Sequence, residues 1–121
     1  MRKYLRNLTA AALLLVATGS VPAWAHAVIV AASPSAAQHV PAGKVVVRIE
    51  FNSRIDKERS RLQLTAPSGN KATVPIDPAG EPNVITGTTA DLSSGDYVLH
   101  WQVLALDGHI TRGDIPFVVG N

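Results

Sequence analysis

The sequence predicts an all-β fold, a small immunoglobulin-like Greek-key β-sandwich or barrel of about seven strands. Three observations lead to it. Beyond residue 25, apolar residues alternate with a period of two, turn residues recur every ~10 positions, and helical periodicity is missing. "HAVIVAAS", residues 26–33, reads as the first strand, and Ser33-Pro34 stops it. "SAAQHVPAG" follows as a loop carrying His39. "KVVVRIEFNS" then sets Val45, Val47, Ile49 and Phe51 on one face and Val46, Arg48 and Glu50 on the other. The densest basic stretch, "RIDKERSRLQ", is interleaved with Asp56 and Glu58 and reads as a solvated loop or edge. "RLQLTAPSGN" places Leu62 and Leu64 on one face before a turn at Pro67-Ser68-Gly69, and "KATVPI" completes a hairpin. "PIDPAGEPN" is a loop, and "NVITGTTADL" is a weaker strand interrupted by Gly87. The longest strand is "DYVLHWQVLAL", whose inner face groups Tyr97, Leu99, Trp101 and Val103, and "GDIPFVVG" is the last. Tyr97 follows a glycine corner. It is either an ordinary strand tyrosine or the corner tyrosine of immunoglobulin-like folds, whose hydroxyl bonds the upstream backbone.

The first 25 residues read differently, as a secretory signal. Arg2, Lys3 and Arg6 form a basic start, Leu8 to Ala17 an apolar core, and Ala23-Trp24-Ala25 a small-x-small cleavage site. The apolar run falls short of the ~20 residues that span a bilayer. No Arg-Arg pair stands near the start, which points to general secretion. Cleavage after Ala25 leaves 96 residues, enough for one domain. The signal takes three of the 11 basic residues and none of the 9 acidic ones, so the remainder carries a net charge of −1. The sequence pI of about 9.3 therefore belongs largely to the signal. No clustered basic face remains for nucleic acid. Cysteine is absent and the one methionine is Met1. The domain must hold together without disulfides, and it offers no soft sulfur ligand.

Four histidines remain: His26, His39, His100 and His109. His39 sits in a loop, and His100 has the strand parity opposite to Trp101, which faces it outward. His109 lies in "LALDGHITRGD", two residues from Asp107. In an extended backbone both side chains leave on one side, with Gly108 letting the chain bend between them. That pair is half a metal site, an Asp that fixes a histidine tautomer, or turn chemistry. His26 adds to it. Cleavage after Ala25 frees its α-amine, a group with a pKa of about 8, so one residue would offer amine and imidazole nitrogens together. With His109 and Asp107 this makes three nitrogens and an oxygen, donors that suit tetragonal Cu(II). Zn(II) could occupy the same ligands but prefers a tetrahedron. A catalytic triad lacks support, since there is no cysteine and no G-x-S-x-G motif.

These segments resemble the CopC family of periplasmic copper-resistance proteins. The resemblance runs through the start "HA", "ASPS" with its downstream "PAG", "VVVRIEFNS" and "LSSGDYVLHWQVLALDGHITRGDIPFVV". The last is the most specific, a G-x-Y-x-x-x-W strand leading into D-G-H. The resemblance implies a Greek-key β-domain over residues 26–121 and one Cu(II) site from His26, Asp107 and His109. It also implies a periplasmic location, no enzymatic turnover, and the inner-membrane protein CopD as a partner. A monomer is expected. Some members have a methionine-rich loop for Cu(I), so no Cu(I) site is expected here. Many members carry a glutamate after the phenylalanine of the second strand. Asn52 and Ser53 stand at that point here, leaving a fourth protein ligand or a water to complete the site. Two rival readings are a small copper-dependent oxidative enzyme resembling a lytic polysaccharide monooxygenase, and a metal-free immunoglobulin-like interaction module.

Overall fold

A computed structural model describes residues 27–120, and every regular element among them is a strand. In chain order these are β1 (Ile29–Ser33), β2 (His39–Val40), β3 (Gly43–Phe51), β4 (Ile55–Thr65), β5 (Lys71–Val74), β6 (Val84–Leu92), β7 (Gly95–Ala105) and β8 (Ile110–Val119). They form two sheets, one ordered β1-β3-β6 and the other β2-β8-β7-β4-β5. The pairings are antiparallel apart from β2 with β8. The all-β sandwich read from the sequence is the observed fold.

The alternation that defines β3 and β7 also builds the core. Val45, Val47, Ile49 and Phe51 point inward from one sheet, and Tyr97, Leu99, Trp101 and Val103 point inward from the other. Phe51 meets Trp101 edge-on, with ring centroids 5.4 Å apart and planes at 64°. The Trp101 ring also covers Gly113 of β8, where a Cβ would come within 2.5 Å of Cζ2. Only a residue without a side chain lets the indole lie this close to the neighbouring strand.

Tyr97 is the corner tyrosine. Its hydroxyl donates to the Ser93 carbonyl at 2.9 Å, and its ring stacks on Phe117 with centroids 5.8 Å apart. Tyr97→Phe keeps the packing and removes one hydrogen bond from a partly buried carbonyl. Urea denaturation should show a loss of about 1 kcal/mol with an unchanged m-value.

Two elements differ from the sequence reading, and a third resolves an alternative left open in it. The "RIDKERSRLQ" stretch, read as a solvated loop or edge, is an edge: it forms the first half of β4, paired with β7 on one side and broken by a register shift between Asp56 and Arg61, while β5 joins β4 only from Leu62 on. At that irregularity Ser60 turns inward. Its hydroxyl donates to the Asp56 carbonyl at 2.6 Å and accepts from the Leu104 amide at 3.1 Å. The bulge destroys the alternation that would have marked a strand. His39, assigned to a loop, lies in the two-residue β2 opposite Val118, which raises the strand count to eight. Finally, β8 starts at Ile110 and not at Gly113, because its first residues pair with Leu104 and Val103 although Ile110 is exposed.

Candidate metal centre

Asp107, Gly108 and His109 make the turn between β7 and β8 at one pole of the sandwich. Gly108 has φ +92°, a left-handed conformation that side chains disfavour. Its amide donates to the Ala105 carbonyl at 2.9 Å, and the Ala105 amide donates to the His109 carbonyl at 2.9 Å. Asp107 folds back over this turn. Its Oδ1 accepts from the His109 amide at 3.0 Å, and its Oδ2 lies 3.1 Å from His109 Nδ1. Turn chemistry and a carboxylate–imidazole pair, alternatives in the sequence, coexist here. Such a carboxylate orients the ring that it touches.

The same pole receives the start of the described chain. The Val28 amide donates to Asn52 Oδ1 at 2.8 Å, and the Val28 carbonyl accepts from the Asn52 amide at 3.0 Å. Asn52 thus clamps the segment leading into β1 to the end of β3. Ala27, next to this clamp, is buried in the core. Two residues beyond Asn52, the Arg54 carbonyl accepts from the Leu106 amide at 3.2 Å. This contact lies one residue beyond the Ile55–Ala105 pair of β4 and β7, so the connector reaches the start of the turn that carries Asp107. The connector 52–54 therefore holds the entry to β1 with one end and the Asp107–His109 turn with the other. Its length limits their separation, since a residue of extended chain spans at most ~3.6 Å.

His26, the third residue singled out in the sequence, lies outside the described residues. Among the described residues no group of three or more His, Cys, Asp or Glu side chains could hold a metal. Asp107 and His109 supply one oxygen and one nitrogen donor, and no residue after Met1 can supply sulfur. These donors fit a borderline divalent ion and not a soft monovalent one.

Of the surroundings of the pair, sequence reasoning notes Asn52 and Ser53 as the residues that follow Phe51, and it misses Thr111. The Ser53 and Thr111 hydroxyl oxygens are buried and have no hydrogen-bond partner among the described residues. Thr111 follows His109 by two on the inward row of β8, which runs on through Gly113 and Ile115. No pattern in the sequence marks Thr111, because threonine is also an ordinary turn and edge residue.

The other histidines stand apart. His39 is exposed on β2. His100 lies on the outer face of the five-stranded sheet, between Thr65 Oγ1 at 2.7 Å and Asp114 Oδ1 at 2.6 Å. It borders a shallow groove of about 390 Å³ with Arg61, Gln63, Gln102 and Arg112, on the side of the sheet opposite the inward row that carries Thr111.

Comparison with known proteins agrees with this architecture. The family model described as CopC domain matches residues 29–120. Protein YobA of Escherichia coli strain K12 is 28% identical over 113 residues, covering 91% of each chain. The crystal structure of CopC from Methylosinus trichosporium OB3b superposes with a TM-score of 0.71 and 31% identity, covering 78% of this chain and 94% of that one. PcoC from Escherichia coli, described as a methionine-rich copper resistance protein, superposes with a TM-score of 0.61 and 24% identity over 78% of this chain and 99% of its own.

Proposed function

The chain belongs to the CopC domain family, and from that premise we propose that it is an exported, periplasmic Cu(II)-binding protein of copper homeostasis and resistance. It holds or hands over one Cu(II) ion without turnover. The proposed ligands are His26, through its amine and imidazole once cleavage after Ala25 makes it the first residue, together with Asp107 and His109. The observation that carries this reading is the connector 52–54. It ties Val28, two residues beyond His26, to the pole that also bears the carboxylate–imidazole pair. A first residue placed near that pair can close a chelate with it. CopD is the proposed membrane partner, and the protein acts as a monomer. PcoC is described as methionine-rich, whereas this chain has no methionine after Met1, so a Cu(I) site is not part of the proposal.

The test compares the exported protein, its first residue established by intact mass, with a variant carrying one alanine ahead of His26. That extra residue turns the chelating amine into an amide. Cu(II) competition titration should show weaker binding by the variant, beyond the ~10–100-fold that outer-layer changes cost. Binding by the exported protein should also weaken as pH falls from about 7.5 to 5, because protons compete with the metal for every nitrogen. Equal affinity of the two proteins, or an exported chain starting at Ala27, would remove His26 from the site.

A further inference from the structure

The outer face of the five-stranded sheet carries two guanidiniums that have no counter-charge among the described residues. Register puts them on one row across three strands: Arg61 of β4 pairs with Gln102 of β7, and Gln102 pairs with Arg112 of β8. Directly paired residues share a face, and Gln102 points outward between the buried Trp101 and Val103. The backbones of Arg61 and Arg112 are therefore ~10 Å apart, two strand spacings. Both arginines line one groove of about 390 Å³, together with Gln63, Gln102 and His100. Among the described residues neither guanidinium belongs to an ion pair. The carboxylates nearest in sequence are held elsewhere. Asp114 is two residues from Arg112 on the same face, yet its Oδ1 lies 2.6 Å from His100 Nδ1, and Thr65 Oγ1 fixes the other ring nitrogen at 2.7 Å. Asp56 accepts from the Arg59 amide at 3.3 Å and lies 3.9 Å from Arg59 Nε. Like charges on one row are unfavourable unless something opposite in sign stands with them, and here a neutral Gln102 occupies the middle.

We propose that this groove binds a phosphate group, borne by a small free molecule or by a phospholipid head, between Arg61 and Arg112. None of its residues is a proposed copper ligand, so the site stands independently of the copper reading. A guanidinium presents its N–H donors as a planar fork that matches two oxygens at once. Forks reaching in from β4 and β8 approach their guest from opposite sides. A phosphate spreads its oxygens tetrahedrally and can meet both, with the Gln102 amide beneath as a further donor. A carboxylate has two oxygens in one plane, and a single fork satisfies them. The groove volume falls within the ~300–1,000 Å³ of small-ligand sites, which leaves room for the group that the phosphate is attached to. His100 serves as a wall and not as a ligand, because both ring nitrogens are engaged. Its bond to Asp114 keeps that carboxylate turned to the ring, where it does not pair with Arg112.

The experiment titrates inorganic phosphate at constant ionic strength into the isotope-labelled exported protein, and follows the backbone amide resonances. Arg61→Gln, Arg112→Gln and Arg61→Lys are compared with wild type. Arg48→Gln, which alters an exposed arginine of the other sheet, is the control. Saturable shifts should appear at residues 61–63, 100–102 and 112–114, which line the groove. Each Arg→Gln change should weaken phosphate binding by about 10-fold or more, the worth of a hydrogen bond to a charged group. Both positions are exposed, so the melting temperature should stay at the wild-type value. Arg61→Lys keeps the charge without the fork and should recover only part of the loss, and Arg48→Gln should bind as wild type does. Acetate should shift the same amides far less. A second arm separates the two sources by co-sedimentation with phosphatidylglycerol vesicles, with phosphatidylcholine vesicles as reference. Retention on phosphatidylglycerol that either Arg→Gln change abolishes assigns the phosphate to a lipid head. Saturable phosphate binding without retention assigns it to a free molecule. Shifts that grow without saturating, an equal response to acetate, or Arg→Gln variants that bind phosphate as tightly as wild type would overturn the site.

Discussion

His109→Ala should lower the Cu(II) affinity of the exported protein by more than about 100-fold, beyond the range of outer-layer changes. The variant loses an imidazole donor and the group on which Asp107 is trained. Asp107 Oδ2 lies 3.1 Å from the His109 ring, and its Oδ1 accepts from the His109 amide. The second contact is to backbone and survives the substitution, so the turn itself should persist. Its φ +92° glycine and the two Ala105 bonds do not involve the imidazole. The loss should therefore appear in affinity without a matching loss of stability, which thermal melting of the metal-free protein can check. His39→Ala and His100→Ala serve as internal controls. His39 is exposed on β2, and His100 bonds Thr65 and Asp114 on the outer face. Neither should change Cu(II) affinity by more than a few-fold, as expected of residues that share no partners with the site. Comparable losses in all three would mean that Cu(II) binds histidines indiscriminately, and the proposed centre would be wrong.

Phe51→Ala should cost about 3–5 kcal/mol, the range for removing a large aromatic side chain from a packed core. Phe51 is 1% exposed and meets Trp101 edge-on across the two sheets, so a cavity would open where they interlock. A domain of this size has only about 5–15 kcal/mol of stability. The chain has no cysteine with which to compensate. Urea denaturation should show the midpoint falling steeply, with part of the population unfolded near 37 °C. The backbone of Phe51 is also committed, its amide donating to the Asn83 carbonyl and its carbonyl accepting from Asn83 Nδ2. Because Asn52 follows directly, loosening residue 51 should loosen the Val28 clamp as well, and Cu(II) affinity should fall with stability. A loss below about 1 kcal/mol would mean that the core collapses freely around the gap, contrary to its close packing.

These two residues also mark how far the chain could be read in advance. Phe51 belongs to a strand whose strict alternation made its face legible, and the same holds for Tyr97 through Val103. The first half of β4 could be read only as a loop or an edge, and it is an edge. Its bulge between Asp56 and Arg61 interrupts the period of two, and its exposed residues Glu58 and Arg59 carry charges that a loop would also carry. The two-residue β2 has no pattern of its own, since it is a strand only because β8 lies beside it. At the site, Asp107 and His109 could be picked out because carboxylate and imidazole are uncommon together after a strand. Asn52 and Ser53 stand out only through the resemblance, and the clamp that Asn52 makes with Val28 could not be read, because register is not written at any single position.

The seam between β2 and β8 has a consequence in time. His39 pairs with Val118 and Val40 with Val119. Around them the Ala37 amide donates to the Pro116 carbonyl, the Val118 amide to the Gln38 carbonyl, and the Gly120 amide to the Val40 carbonyl. Residues near the front of the domain are thus fastened by residues at its back. A chain that becomes available amino terminus first would hold its early strands unfinished until the final ones arrive, because the entropy of closing so long a loop is met only then. The sandwich cannot shut before its last strand is in place, and the pole where the Val28–Asn52 clamp and the Asp107–His109 turn lie would be assembled among the last parts.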